Sequence, residues 1–412
     1  MDKGSNWGTY VRAGRRAARR AIAVAAVAVA LAGCSLTRLG SDDAPRPPAE
    51  VVRVTPHDGA RGIPPGGRLT VTVPDGRLEQ VRVTRTDQTG TTEPVDGRMT
   101  VDGRAWRPTG TRLALAARYA VNAVAVDERG RRFARHTTFT TVVPPHRFIG
   151  YFTPEDGATV GTGTIVSFTF NRPITNRAAV ERAIRVTSRP RTDVAAHWFG
   201  NRRLDFRPSE YWTPGTEVTL DLRLRDVRGA RGVYGIQHKK VRFTVGRSQV
   251  STVDTVAHTM TVRRNGAVLA VLPVTAGAPG HETYNGKMVV MEKLAETRMD
   301  GSTVGFGGEY DISDVPHAMR LTSSGTFVHG NYWAKADTFG AVNASHGCIG
   351  LRDVRGGSPQ TAAGWFYHRS LVGDVVEVVN SRERQVAPDN GPGGWNMPWS
   401  AWRAGSALDD RS

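Results

Sequence analysis

A short motif occurs twice in this chain. Thr55-Pro56-His57-Asp58-Gly59-Ala60 returns as Thr153-Pro154-Glu155-Asp156-Gly157-Ala158, 98 residues later. Trp106-Arg107-Pro108 is echoed by Phe206-Arg207-Pro208 and Phe139-Thr140 by Phe243-Thr244, at offsets of 100 and 104. Three echoes at nearly one spacing argue for two copies of a domain of roughly 100 residues. Each copy carries short alternating runs between turn signals, such as Leu69-Thr70-Val71-Thr72-Val73, Tyr119 to Val124 and Val218 to Leu224. Period-two alternation at this spacing is the pattern of a β-sandwich. One helix-like stretch, Arg177 to Ile184, interrupts the second copy. Neither copy holds a chemical constellation, so both read as spacers.

What precedes the repeats is a targeting segment. Arg12, Arg15, Arg16, Arg19 and Arg20 lead into an apolar stretch from Ala21 to Ala32, too short to span a bilayer as a mature helix. Leu31-Ala32-Gly33-Cys34 resembles a bacterial lipobox, in which the Cys is acylated and becomes the new N-terminus. Residues 1–34 are therefore predicted to be a signal peptide with lipobox, and polar, Pro-rich residues 35–48 a linker off the membrane. The expected location is outside the cell, on the outer face of the cytoplasmic membrane or in the cell wall, held by lipid on Cys34. With Cys34 so used, Cys348 is the one remaining thiol. An exported protein keeps such a thiol either buried and inert or for its reactivity. The net charge of +17 is spread thinly through arginines, with no basic helix or aromatic-interleaved run. That speaks against nucleic acid and for an anionic envelope surface.

From about residue 247 the texture changes. Met260 to Arg264, Asn265-Gly266 and Ala267 to Val271 read as a hairpin with a two-residue turn. Lys287 to Met291 reads as a strand, and Ser358-Pro359 as cap and first residue of a helix through Trp365, Phe366 and Tyr367. Gly373 to Val379 reads as a closing strand. Trp395, Trp399 and Trp402 in the tail are expected to pack back on the domain.

The chemistry concentrates in Thr326-Phe327-Val328-His329-Gly330-Asn331 and Asn343-Ala344-Ser345-His346-Gly347-Cys348-Ile349-Gly350-Leu351-Arg352. A thiol attacks as its thiolate, so Cys348 calls for a lowered pKa and a neighbouring base. His329 ends an apolar β-like run that would hold an imidazole rigidly. Gly347 allows a tight turn on which successive N–H groups converge on a developing oxyanion.

These residues resemble the L,D-transpeptidase catalytic domain, whose signature is a His, a spacer of about sixteen residues and Ser-His-Gly-Cys. The resemblance covers about residues 250–380, including Pro273 to Gly277, Trp365 to Tyr367 and the closing strand. The layout as a whole resembles the mycobacterial-type members. The fold it implies is mostly β: two immunoglobulin-like β-sandwich domains over 49–143 and 144–246, a β-rich catalytic domain over 247–380, and a Trp-containing extension over 381–412. It implies Cys348 as nucleophile, His329 as base oriented by the Gly330 carbonyl, and the N–H groups of His346, Gly347 and Cys348 as oxyanion hole. Tyr310 fits a flap tyrosine, Met291 the donor pocket, and Ser345, Asn331 and Arg352 substrate contacts. Many members carry Asn two residues after the Cys, where this chain has Gly350. The implied reaction joins peptidoglycan stem peptides: a thioester forms at the third residue of a tetrapeptide donor, D-Ala leaves, and a diamino-acid side-chain amine of the acceptor completes a 3→3 cross-link. Carbapenems acylate family members in the same way. No metal and no cofactor are called for.

Three rival readings are zinc held by His329, His346 and Cys348; hydrolysis of the same thioester by a wall peptidase; and a wall-binding lipoprotein with a degenerate site, against which the intact Ser345 to Cys348 run argues. His57, His197, His238 and His258 read as surface or core, and Asp311, Asp314, Asp353 and Arg355 as solvated loop residues.

Overall fold

The computed structural model describes residues 48–408 except 111, 305 and 306. The segments predicted to be a signal peptide with lipobox, Cys34 included, and nearly all of the predicted linker lie outside the described residues. Among those described, no helix is long and apolar enough to cross a membrane.

The two repeats fold alike. In the first, one sheet runs Arg53–Thr55, Thr70–Thr72, Ala105–Pro108, Gly97–Met99 and the other Thr92–Pro94, Arg77–Thr86, Arg118–Val126, Arg132–Thr140. In the second, Gly150–Thr153, Val166–Phe170, Arg203–Pro208, Val194–Phe199 face Thr159–Val160, His238–Val245, Glu217–Arg223, Ile184–Arg189. The echoed residues hold matching places: Trp106 and Phe206 lie on the third strand of their sheets, and Phe139 and Phe243 on the strand beside Arg118–Val126 and Glu217–Arg223. All four are buried in the two sandwich cores. The helix-like stretch of the second repeat forms a helix over Arg177–Arg182, after which Ile184 already starts a strand.

The remainder builds one nine-stranded mixed sheet. Its order is Gly286–Val289, Val375–Val379, Gln249–Asp254, Thr259–Arg264, Ala267–Thr275, Ile349–Arg352, Phe327–Asn331, Asp311–Arg320, Glu292–Asp300. The Asn265-Gly266 turn forms as expected, with both residues at positive φ (50° and 86°), as a turn matching strand twist requires. The helix over Ala362–Arg369 starts later than the sequence predicts. Its cap is Thr361, whose Oγ1 accepts the Gly364 N–H at 3.1 Å, while Ser358 and Pro359 form the turn before it. The Ser-Pro pair resembled a cap locally, but the bond to the third residue onward is made by Thr361.

Two faces of this sheet differ in use. Val328, Ile349, Leu351, Ala363 and Phe366 share one apolar cluster, so the helix covers that face. Alternation then turns His329 and Asn331 to the opposite face. The tail tryptophans pack on the second sandwich rather than on the nine-stranded-sheet unit alone. Trp395 donates to the Gly163 carbonyl (2.7 Å), Trp402 to the Ala195 carbonyl (3.0 Å), and Arg207 lies over the rings of Trp395, Trp399 and Trp402 at 4.7, 5.3 and 4.5 Å.

Candidate active site

The strands Phe327–Asn331 and Ile349–Arg352 run parallel, with His329 opposite Gly350 and Asn331 opposite Arg352. Cys348 comes two residues before Gly350, in the bend that leads into that strand. His329 is buried, and its Nδ1 meets the Gly330 carbonyl at 3.0 Å. A carbonyl only accepts, so Nδ1 carries the proton and Nε2 keeps its lone pair. Gly330 is held tight: an added Cβ would lie 2.2 Å from Asp353 Oδ2.

The Cys348 thiol donates to the Gly325 carbonyl at 3.6 Å. Its pKa is pushed up to about 11 by burial, against the opposing pull of the Phe327 N–H and the Arg320 charge. Burial likewise pushes the His329 imidazole down, with the Gly330 bond opposing it. The sequence-based expectation of a lowered thiol pKa is therefore corrected: the resting pair is neutral thiol and neutral imidazole. The reason is that desolvation penalises both charged forms and no opposing charge is close enough to outweigh it.

Ser345, expected to touch substrate, is engaged in the loop itself. Its hydroxyl donates to the Cys348 carbonyl at 2.6 Å and accepts the Gly347 N–H at 3.2 Å. The Gly347 N–H is thus turned inward, while the Cys348 N–H meets no acceptor among the described residues and is available to an oxyanion. Gly347 adopts φ of 105°, which favours glycine, and lies close to the His281 carbonyl.

Tyr310 ends the tip of the long hairpin formed by Glu292–Asp300 and Asp311–Arg320, and its ring lies 5.0 Å from that of His346. Its hydroxyl is pushed up to about 12, first by burial and next by the nearby Cys348. Tyr310 and Cys348 are therefore brought together. Met291 is not brought with them. It lines a cavity of about 690 Å³ with Phe152, Ile165 and Leu371, whose lining includes neither Cys348 nor His329, and its N–H donates to the Arg320 carbonyl at the start of the hairpin. Arg352 is exposed at the strand end away from Cys348. Asn331 is buried, its Oδ1 accepting the Ala334 N–H at 2.9 Å and its Nδ2 sitting 3.4 Å from where a Cβ on Gly350 would be. The carboxamide thus stands over the glycine.

Several contributors had no signal in the sequence. Trp333 stacks on His329 with ring centroids 5.6 Å apart. Glu309 contacts His346 at 2.9 Å, with His281 nearby. Asp353, expected in solvent, is buried: it pairs with His317 at 2.7 Å and accepts from Thr361 Oγ1 and the Val354 N–H at 2.9 and 2.8 Å. Arg355 is exposed as expected, but Asp311 and Asp314 lie on strand Asp311–Arg320 rather than in a loop: Asp311 is exposed and pairs with Arg298 at 2.7 Å, while Asp314 is half-buried, paired with Arg355 at 2.7 Å and accepting the Tyr332 hydroxyl at 2.6 Å. His197 packs on Trp402, and His258 meets Asn343 at 3.0 Å. The zinc set of His329, His346 and Cys348 does not assemble: the His346 ring pairs instead with Glu309.

Residues 248–378 match the L,D-transpeptidase catalytic domain family, and residues 60–228 the bacterial Ig domain family. L,D-transpeptidase 2 of Mycobacterium tuberculosis (strain CDC 1551 / Oshkosh) is 35% identical over 85% of this chain and 83% of its own length. The chain belongs to the L,D-transpeptidase family. It is an enzyme of the L,D-transpeptidase class. L,D-transpeptidase 5 of Mycobacterium tuberculosis (strain ATCC 25618 / H37Rv) is 30% identical over 88% of this chain and 78% of its own length. A solved structure of an L,D-transpeptidase in complex with imipenem is 32% identical over 57% of this chain and 100% of that one, with a TM-score of 0.47.

Proposed function

We propose that this L,D-transpeptidase forms 3→3 cross-links between peptidoglycan stem peptides through a thioester on Cys348. The observation that supports this reading is the parallel pairing that sets His329 opposite Gly350, two residues after Cys348, with the ring held by the Gly330 carbonyl.

Because both groups rest neutral, proton transfer accompanies attack. Cys348 Sγ bonds to the carbonyl carbon of the third stem residue while its proton moves to His329 Nε2. The tetrahedral oxyanion meets the Cys348 N–H. It collapses with cleavage of the amide to D-Ala, whose nitrogen takes the proton from His329. A side-chain amine of the acceptor then attacks the thioester, gives its proton to the same imidazole, and expels the sulfur, which regains it. General acid–base transfer of this kind contributes roughly 10²–10⁴-fold. Tyr310 closes over the donor from the flap, and Asn331 offers an amide donor beside Gly350 where many relatives place an Asn. Lipidation at Cys34 would hold the enzyme at the outer face of the membrane, and the sandwiches would carry the site into the wall.

The test is incubation with tetrapeptide-bearing sacculi followed by digestion. The reading predicts 3→3 dimers and released D-Ala with the wild type and neither with Cys348→Ala. Tripeptide monomers without dimers would replace it with hydrolysis of the same thioester.

A further inference from the structure

We propose that His281, Glu309 and His346 form a Zn²⁺ site that clamps the flap onto the nucleophile loop. The three side chains come from separate segments: the turn after strand Ala267–Thr275, the hairpin tip, and the residue two before Cys348. His346 Nε2 lies 2.9 Å and His281 Nε2 3.9 Å from the same Glu309 oxygen, and one ligand atom from each residue lies within 4.8 Å of the others. Around a tetrahedral zinc, with Zn–N of about 2.0–2.1 Å, neighbouring ligand atoms stand about 3.3 Å apart. The observed spacings bracket that value, and ring rotations on the order of 1 Å complete it. Two imidazoles and one carboxylate form a donor set that suits zinc better than magnesium or calcium, which take oxygen ligands. Both imidazole side chains are 34% exposed, so the ion has an access route from solvent and room for a water as fourth ligand.

The consequence is mechanical. Glu309 adjoins Tyr310, whose ring already stands 5.0 Å from His346. An ion bridging Glu309 to His346 fixes the hairpin tip over Cys348 and shuts the site to an incoming peptide. Zinc thereby slows acyl transfer reversibly, without touching the thiol. The existence of the site stands on the geometry alone; its effect on turnover rests on the acyl-transfer reading above.

The two are separable in one experiment. ZnCl₂ is titrated into full-length protein carrying Cys348→Ser, in which no thiolate can bind metal. One ion per chain should bind at micromolar affinity or tighter, and His281→Gln or Glu309→Gln in that background should weaken binding by at least about tenfold. Absence of binding, or binding that both substitutions leave unchanged, overturns the site. With Cys348 present, zinc should slow carbapenem acylation several-fold, a chelator should restore it, and Glu309→Gln should be insensitive. Stoichiometric binding with undiminished acylation overturns the clamp. A protein that binds zinc yet is never acylated, with or without the ion, speaks against the proposed function and leaves the metal site standing.

Discussion

At the residue scale, the account turns on two neutral groups made reactive by position. A thiol at about 11 holds almost no thiolate at neutral pH. Its reactivity toward a small alkylating agent that His329 does not assist should therefore be low and rise as pH rises, since deprotonation makes the nucleophile. Iodoacetamide labelling of Cys348 against pH should show a midpoint near 11, above the ordinary thiol value of 9.0. A plateau reached in mildly acidic solution would mean a thiolate–imidazolium pair and would contradict this. His329→Gln keeps the ring's bulk in part and removes the base, so acylation by a peptide or carbapenem should fall about 10²–10⁴-fold with little loss of fold. The proposed nucleophile and base were legible in the sequence because Ser345-His346-Gly347-Cys348 is contiguous and His329 is a fixed spacing away. The thiol's raised pKa was not, because burial of a side chain is set by distant segments such as Gly325 and the flap. Glu309 and His281 escaped for the same reason: only folding places them beside His346.

At the level of elements, the site depends on two glycines whose requirements differ. Gly347 needs its positive φ of 105°, so Gly347→Ala should cost about 1–3 kcal/mol and misdirect the Cys348 N–H. Circular dichroism should show a modest fall in Tm, with a larger loss of acylation rate. Gly350 needs space instead: a Cβ there would stand 2.8 Å from Thr275 Cγ2 and press on Asn331. Gly350→Ala should therefore destabilise by about 1–3 kcal/mol through overpacking, measurable as a lower denaturation midpoint. An unchanged midpoint would show that the Asn331 carboxamide does not occupy that space. Strands were legible where alternation and turn chemistry agreed, as at Asn265-Gly266. The helix start was displaced from Ser358 to Thr361 because local cap preference cannot tell which hydroxyl meets a free N–H three residues on.

Across the whole molecule, the repeat predicted the two sandwiches because each copy must bury the same alternating face. It said nothing about how the second one joins the catalytic domain. That junction joins backbone bonds from Gly161 and Gly163 to the Val372 and Gly373 carbonyls with the tail, where Trp402 is fully buried and Arg207 is held among three indoles with its pKa lowered to about 10 by burial. Trp402→Ala should cost about 3–5 kcal/mol and lower the melting temperature, since a large cavity opens where no side chain can collapse to fill it. Scanning calorimetry should show that loss; an unaltered melt would mean the tail is not structural.

The most direct measurement is intact mass after exposure to a carbapenem, made on wild type, Cys348→Ala and His329→Gln. The account predicts one covalent adduct on the wild type, none on Cys348→Ala, and an adduct on His329→Gln that accumulates at least about a hundredfold more slowly. An adduct that survives replacement of Cys348, or forms as fast without the imidazole, would contradict it.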